Sequence, residues 1–360
     1  MAANRRVLIT GNNGYIGSVM APWLRSHDYD VVGLDIEYFA PCTFVPDLAE
    51  IPALRKDLRD VTASDLAGFD AVIHLAALSN DPIGSLNKAW TREINRDGSI
   101  RLAHAAKQAG VSRFLLSSSC IMYGMSEATV VDENSPLAPQ TEYARSKVSA
   151  ELALRELADN GFSPTFCRNG TVYGVSPRMR FDTVLNNFMG SAFTTGSVVI
   201  HSDGTPWRPV VHVQDVAHAF QAVLEAPREL VHNQAFNVGA DDLNHQIREV
   251  GQIVVETVPA CKLAMVPQAG ADQRTYKAAF AKFKRTFPSF DFRWTVRKGA
   301  DELHTAFKQI GLTYDKFTDK RFTRLSWLQS LLDSGLVDDS LRWIEGAARA
   351  DRNRRRISAA

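Results

Sequence analysis

Short apolar runs alternate with longer amphipathic stretches through the first half of the chain. The runs are rich in β-branched residues, whereas the stretches carry apolar residues three and four positions apart, which is the helical period. The predicted strands are Val7–Ile9, Val31–Leu34, Ala71–Leu75 and Phe114–Leu116, and the predicted helices are Ile16–Arg25, Ile94–Gln108 and Tyr143–Leu157. Strands that alternate with helices form βαβ units, so we expect an α/β fold with a doubly wound parallel sheet.

The second half of the chain has a less regular pattern. Ser163–Arg168 and Ala235–Val238 are predicted strands, and Phe181–Met189 and Gln246–Val258 are predicted helices. Proline and glycine are dense from Val172 to Pro209. This half therefore contains further strands of the sheet together with a more irregular region.

The charge balance narrows the classes of partner. The 360 residues include 41 basic and 40 acidic ones, a formal charge of +1, so no overall field favours nucleic acid or a membrane. No apolar run is long enough to cross a bilayer, and the N-terminus does not have the pattern of a signal peptide. The four cysteines are too widely spaced to predict a metal site. We therefore expect a cytoplasmic protein that holds any anionic ligand with local groups.

A glycine-rich turn follows the first predicted strand. Gly11, Gly14 and Gly17 have the spacing G-x-x-G-x-x-G, and a helix begins inside the turn. Such a turn lets backbone N–H groups and a helix N-terminus approach a pyrophosphate. Asp35 follows the second strand, where a carboxylate can accept from ribose hydroxyls and repel a 2′-phosphate. The combination favours NAD over NADP.

A tyrosine and a lysine four residues apart provide candidate chemistry. Tyr143 and Lys147 would share one face of a helix. Because a tyrosine has an ordinary pKa near 10, it needs a neighbouring cation such as Lys147, and the positive nicotinamide ring, to act as a base. Ser119 ends a predicted strand at the sheet edge where ligands bind in open α/β sheets, and its hydroxyl could bridge the substrate oxygen and the tyrosine.

These motifs, in this order, resemble the extended short-chain dehydrogenase/reductase family, in its branch of nucleotide-sugar epimerases and dehydratases. The matching segments are Gly11–Gly17, Asp57-Leu58, His74-Leu75-Ala76-Ala77, Asn95, Ser117–Gly124, Tyr143–Lys147, Arg168–Gly174 and Arg208–Asp215. The resemblance covers roughly residues 5–310, while residues beyond about 312 have no counterpart that can be assigned.

The resemblance implies a role for each matching residue. The cofactor would be NAD, lined by Gly11, Asn13, Gly14, Tyr15, Ile16, Gly17, Asp35, Asp57, Leu58, Leu75, Ala76, Ala77, Asn95, Tyr143 and Lys147. The substrate would be a nucleoside-diphosphate sugar, held by Ser79, Asn80, Asn169, Asn187, Arg208 and Arg274. Arg208 and Arg274 would pair with the diphosphate, although a surface ion pair is an alternative for Arg274, and Asn186 is as good a candidate as Asn187. The catalytic residues would be Ser119, Tyr143 and Lys147.

One departure from the family pattern narrows the reaction. Cys120 and Ile121 follow Ser119 where dehydratases of this branch carry acidic residues. Elimination of water needs an acid to protonate the leaving hydroxyl, so the departure argues against a dehydratase. We expect an epimerase in which Tyr143 deprotonates a sugar hydroxyl while NAD takes the hydride. A reductase of 4-keto-6-deoxy nucleotide sugars and a non-catalytic NAD sensor are the alternatives.

The expected organisation is a Rossmann-type doubly wound parallel sheet with a smaller, interleaved C-terminal substrate-binding region. Residues 1–180 would bind NAD, with 211–240 returning to that domain. Residues 181–210 and 241–345 would form the substrate-binding region, and 346–360 a basic tail. The resemblance also implies a homodimer.

Overall fold

The computed structural model of the protein describes residues 5–45, 48–79, 81–125, 130–266 and 274–344. The strands are β1 (Arg6–Thr10), β2 (Asp30–Asp35), β3 (Ala53–Arg55), β4 (Ala71–His74), β5 (Arg113–Ser119), β6 (Ser163–Asn169), β7 (Thr171–Tyr173), β8 (Ser197–Ile200), β9 (Trp207–His212), β10 (Gln234–Val238), β11 (Asn244–Gln246) and β12 (Lys262–Met265). The α-helices are α1 (Gly17–Arg25), α2 (Asp81–Leu86), α3 (Lys88–Thr91), α4 (Gly98–Gln108), α5 (Glu142–Arg155), α6 (Val184–Thr195), α7 (Val213–Glu225), α8 (Arg228–Val231), α9 (Ile247–Thr257), α10 (Ala281–Thr286), α11 (Val296–Gln309), α12 (Tyr314–Phe317) and α13 (Arg324–Asp333). None of the helices in the described ranges is long and apolar enough to span a bilayer.

A seven-stranded sheet forms the centre of the molecule. Its strand order is β10-β6-β5-β4-β1-β2-β3, and each neighbouring pair is parallel. The order reverses between β1 and β4, which creates a crevice at the carboxyl ends of these strands. The α/β fold with a Rossmann-type sheet, expected from the sequence, is confirmed.

Apolar side chains leave this sheet on both faces. Val7 and Ile9 of β1 pack with α1 and α7, whereas Leu8 between them packs on the opposite face with α4 and α5. Successive residues of a strand point to opposite sides, so a strand buried on both sides is apolar throughout. This is why the strand runs of the sequence are continuous rather than alternating.

A second region stands at the carboxyl edge of the sheet. It contains a three-stranded sheet, β11-β9-β7, and a two-stranded sheet, β12-β8, with α6, α9 and α11. Its core is continuous with the glycine turn, because Tyr15 packs in the same cluster as Phe181 and Phe307. Strand β10, by contrast, lies at the edge of the central sheet beside β6.

Helix α6 begins later and ends later than the sequence pattern indicates. The side-chain amides of Asn186 and Asn187 donate to the carbonyls of Arg180 and Phe181 and hold the loop that precedes the helix. Gly190 lies inside the helix, where an added Cβ would come within 2.4 Å of Phe317. Glycine is therefore used here for close packing, and the helix ends at Gly196, whose φ is 70°.

Residues 314–344, which we call the C-terminal segment, return to the central sheet. The indole of Trp327 donates to the carbonyl of Tyr38 at 2.7 Å, and that of Trp343 donates to the carbonyl of Ile36 at 2.7 Å. Leu328 is fully buried in a cluster with Tyr38 and Trp90. The segment thus covers the loop that follows β2.

Candidate active site

A cavity of about 800 Å³ extends along the carboxyl edge of the central sheet. We call it the central cavity. Residues at or just beyond the ends of β1, β4, β5 and β6 line it, namely Gly11, Leu75, Ser119 and Asn169. Because parallel strands end at the same edge, they bring these distant residues together. The cavity runs from Asp57 at one end towards Arg208 at the other.

The glycine turn forms one wall of the central cavity. Gly11 has a φ of 74°, and an added Cβ would lie 2.8 Å from the backbone nitrogen of Ala76. A Cβ on Gly17 would lie 2.2 Å from the carbonyl oxygen of Gly11. Only glycine fits these positions, and the turn leaves the N-terminus of α1 facing the cavity. This geometry fits a dinucleotide pyrophosphate.

Two carboxylates lie at the adenosine end expected for a dinucleotide. Asp35 lines the central cavity and accepts hydrogen bonds from the N–H groups of Asn13 (3.1 Å) and Glu37 (2.7 Å). Its burial raises the pKa of the carboxyl group, and the two N–H donors oppose that shift. Asp57 accepts from the guanidinium of Arg59, with Nη2 at 2.6 Å. Asn13 itself is not among the cavity-lining residues and acts by fixing Asp35.

Most of the remaining cofactor-binding candidates line the central cavity, and one lies behind its lining. Gly14, Tyr15, Ile16, Leu58, Leu75, Ala76 and Ala77 line the central cavity. Asn95 does not; its buried amide accepts from the N–H of Leu78 at 2.8 Å and donates to the Leu78 carbonyl at 3.0 Å. Asn95 therefore holds the loop after β4 from behind.

Helix α5 carries Tyr143 and Lys147 into the central cavity. Thr141 caps this helix by accepting from the N–H of Ala144 at 3.1 Å. The ammonium of Lys147 donates to the carbonyl of Ser117 at 2.8 Å and lies 5.8 Å from the centroid of the Tyr143 ring. Burial lowers the pKa of Lys147 to about 8, partly opposed by Glu151.

The protonation of Tyr143 depends on groups that surround its ring. Burial and the charge of Asp81 together raise the pKa of Tyr143 to about 12, against the opposing charge of Arg180. Arg180 is thus a cation whose charge lowers this pKa. The sequence predicts the same effect for Lys147 together with the nicotinamide ring, which stays a prediction, and it did not identify Arg180.

Strands β5 and β6 contribute polar groups to the same cavity as Tyr143. Ser119 and Asn169 are register partners, and both line the cavity. The Asn169 amide donates to the Ser117 hydroxyl at 3.0 Å, while its buried Oδ1 accepts nothing within the described residues. An acceptor left in this state is suited to a ligand hydroxyl. Cys120 instead points into the protein, where its thiol donates to the Arg168 carbonyl at 3.1 Å and burial raises its pKa.

The far end of the central cavity is basic. Arg208 of β9 donates to the carbonyls of Trp207, at 2.9 Å, and of Arg274. Arg274 forms an ion pair with Asp81 at 2.7 Å, and all three charged side chains line the cavity. Asn187 is exposed and lines the cavity, whereas Asn186 is buried and bonded to Gly174 and Tyr15, so the structure separates these two candidates.

Ser79 also lines the central cavity, whereas Asn80 lies outside the described residues. The hydroxyl of Ser79 accepts from Nη1 of Arg180 at 3.0 Å, and Nε of Arg180 donates to Asp182 at 2.7 Å. The segment Arg178-Met179-Arg180 carries two arginines within three residues of an otherwise apolar stretch, a signal that could have identified Arg180. Arg324, from the C-terminal segment, also lines the cavity and had no signal in the family pattern.

The fold and this site define an NAD-binding enzyme of the extended short-chain dehydrogenase/reductase type. Residues 7–239 match the model of the NAD dependent epimerase/dehydratase family, and the chain belongs to that family. NAD as the cofactor and the family expected from the sequence are confirmed.

Relatives within the family catalyse different reactions. The chain is 28% identical over 335 residues to UDP-glucose 4-epimerase of Bacillus subtilis, covering 82% of this chain and 94% of that protein. It is 27% identical over 267 residues to dTDP-D-glucose 4,6-dehydratase of Mus musculus, covering 70% and 74%. A solved structure of MoeE5 with UDP-glucose and NAD has a TM-score of 0.72 at 27% identity, covering 84% of this chain and 99% of that one. The likeness therefore identifies the family and not the individual reaction.

Proposed function

We propose that this protein is an NAD-dependent epimerase of a nucleotide-activated sugar, acting through a transient keto sugar. One observation carries the proposal. Ser119 and Tyr143 meet in the central cavity, and the segment from Cys120 to Tyr123 that follows Ser119 offers no carboxylate there. A proton acceptor without a dedicated acid for a leaving hydroxyl supports reversible oxidation of a sugar carbon rather than elimination.

The chain's own residues would move and hold one proton. NAD, when bound, would supply the hydride acceptor for a sugar carbon. Tyr143 takes the proton of the hydroxyl on that carbon, and Ser119 donates a hydrogen bond that orients the same oxygen. The positive charge of Arg180 stabilises the tyrosinate, because it already lowers the pKa of Tyr143. Asn169 Oδ1 is free to accept from a neighbouring hydroxyl.

The basic end of the cavity suits the diphosphate of the substrate. Arg208 presents a guanidinium, whose fork matches phosphate oxygens. Asn187 lies on the same wall and offers an exposed amide. Epimerisation requires the sugar to turn over between the two hydride transfers, so a tight hold on the diphosphate and a loose hold on the sugar are consistent with this reaction.

Asp81 favours a second candidate, elimination of water. Its carboxylate lines the cavity and is close enough to Tyr143 for its charge to raise the pKa of that tyrosine. A carboxylate near the sugar is what a dehydratase needs, and the chain has dehydratase relatives. However, Asp81 is engaged in an ion pair with Arg274, so it acts as an acceptor there rather than as a proton donor.

The test is incubation of the purified protein with a panel of nucleotide sugars, followed by NMR, with and without added NADH or NADPH. We expect one epimer to be converted to another without added cofactor and without a change in NADH absorbance. Tyr143→Phe, which lacks only the hydroxyl, is the matched control and should be inactive while still binding NAD. Product that forms only with consumption of reduced cofactor would favour the ketoreductase, and an accumulating 4-keto-6-deoxy sugar would favour the dehydratase.

The cytoplasmic location and the homodimer stay predictions.

A further inference from the structure

Arg324 is a buried cation that the proposed reaction does not use. It is the first residue of α13 in the C-terminal segment, and it is only 3% exposed. Its Nη2 donates to the carbonyl of Arg178 at 2.8 Å, and its guanidinium lies 4.4 Å from the centroid of the Phe39 ring. Its Nη1 has no hydrogen-bond partner among the residues that the structure describes.

The neighbours of Arg324 add further positive charge around it. Arg178 and Arg180 are its cationic neighbours, and burial together with Arg180 lowers the pKa of Arg324 to about 10. Asp182 is a nearby carboxylate whose charge partly opposes this shift, but its salt bridge is with Arg180, and it accepts from the backbone N–H of Arg324 at 3.4 Å. A buried charge without a close counter-ion is costly, so this arrangement calls for an anion from outside the chain.

The position of Arg324 identifies which anion fits. Arg324 and Phe39 both line the central cavity, and Phe39 belongs to the loop that follows Asp35. Arg180 is an electrostatic neighbour of Tyr15 in the glycine turn, and Arg178 of Asp35. The segment whose Arg178 carbonyl accepts from Arg324 also contacts the glycine turn, because the Ser176 hydroxyl donates to the Tyr15 carbonyl at 2.7 Å. Arg208 and Arg274 instead line the far end of the cavity. A dinucleotide places its pyrophosphate against that turn.

We propose that Arg324 is a cofactor-binding residue that pairs with the diphosphate of NAD, so that the C-terminal segment closes the cofactor site with a charge. The inference rests on the use of NAD by the proposed function. It goes beyond that function because Arg324 lies outside residues 7–239 that match the family.

The test compares NAD and UDP binding by the full-length wild-type protein and Arg324→Met, using calorimetry. NAD and UDP distinguish the diphosphate of the cofactor from that of the sugar nucleotide. We expect Arg324→Met to weaken NAD binding about 10- to 100-fold, as for loss of a charged hydrogen bond, and to leave UDP binding unchanged. Its apo thermal midpoint should be equal to or higher than that of the wild type, because an uncompensated buried charge is removed. Arg208→Ala should show the opposite selectivity and lose UDP affinity.

Two further variants keep the test decisive. Arg321→Met is the matched control, since Arg321 lies in the same segment but is paired with Asp319 at 2.6 Å, and it should bind NAD as the wild type does. Arg324→Lys keeps the charge without the fork, so an intermediate loss is expected, and this variant carries the test if Arg324→Met does not fold. NAD affinity within twofold of wild type in the folded variant, or an equal loss for UDP, would overturn the inference. A wild-type protein that binds NAD but does not epimerise would contradict the proposed function alone.

Discussion

At the scale of one residue, Lys147 is a charged side chain that is buried at an energetic cost. It is 3% exposed, and its ammonium is held by the Ser117 carbonyl rather than by a carboxylate in contact. The fall of its pKa from 10.5 to about 8 corresponds to a penalty of roughly 3 kcal/mol for the charged form near neutral pH. An apolar side chain would be more favourable for folding at this buried position, so we explain the lysine by a role in ligand binding or catalysis.

We therefore expect Lys147→Met to lose turnover by at least about 100-fold, the range of proton-transfer groups, without losing stability. Below about pH 8 Lys147 is protonated in both the folded and unfolded states, and the folded state carries the full penalty. Between about pH 8 and 10.5 only the unfolded state holds this proton, so the lysine's destabilising effect fades as pH rises. Denaturant unfolding at pH 7 and pH 9.5 measures this effect. The free energy of unfolding of the variant should exceed that of the wild type by more at pH 7 than at pH 9.5. A variant clearly less stable at pH 7 would show that Lys147 serves the fold.

Asp35 leads to a prediction on cofactor choice. Its carboxylate faces the cavity at the adenosine end, so a 2′-phosphate would meet a like charge there. We expect NAD to bind at least about tenfold more tightly than NADP at pH 8, since like charges in contact cost a kcal/mol or more. Because burial raises the pKa of Asp35, this preference should narrow as the pH falls. Titration of both cofactors at pH 8 and pH 5.5 measures the ratio. Asp35→Asn should reduce the preference, and an unchanged ratio would remove Asp35 from the ribose site.

At the scale of the elements, the sequence predicts what periodicity and local motifs determine. Each predicted strand overlaps a strand of the structure, and the order of the motifs identifies the carboxyl-edge site. The contributions that were missed depend on contacts between distant parts of the chain. Arg180 matters because α6 and its loop bring it beside Tyr143, and Gly190 looks like a helix stop until Phe317 packs against it. The role of α13 could not be read from a helix pattern, since its partners lie some 290 residues earlier.

Helix α13 supports a prediction on stability. Leu328 is a fully buried residue of this helix, so Leu328→Ala removes packing and leaves a cavity. We expect a loss of about 2–5 kcal/mol in the free energy of unfolding, the usual range for such a substitution. The matched control is Leu152→Ala on α5, where the side chain is 57% exposed and the change should stay within about 0.5 kcal/mol. Equal effects of the two substitutions would contradict the packing of the C-terminal segment.

At the scale of the whole molecule, the two regions share side chains rather than a simple boundary. Tyr15, in the glycine turn, donates to the Gly174 carbonyl at 2.7 Å and packs in the core of the second region. Phe283 and Phe287, late in the chain, pack with Phe236 of the central sheet. The hydrophobic core of each region therefore includes side chains from parts of the chain that belong to the other region.

This sharing predicts that the protein unfolds in one step. We expect a single thermal transition by both circular dichroism and calorimetry, because neither region keeps a complete core without the other. Saturating NAD should raise the midpoint of the whole transition, by about 2.7 kcal/mol of added stability at a hundred times its dissociation constant. Two resolved transitions, with only one of them moved by NAD, would show that the regions are independent.

The hydrogen bond from Trp343 to Ile36 has a consequence for how the protein is made. The two residues are 307 positions apart, and the bond joins the loop after β2 to almost the last described residue. During synthesis the N-terminal part emerges first, so the loop after β2 waits uncovered on the nascent chain. The C-terminal segment can dock only after the ribosome has released it. The loop after β2 is therefore covered only once residues 324–344 have left the ribosome, and a chain stalled before residue 324 carries the central cavity without Arg324 in its lining.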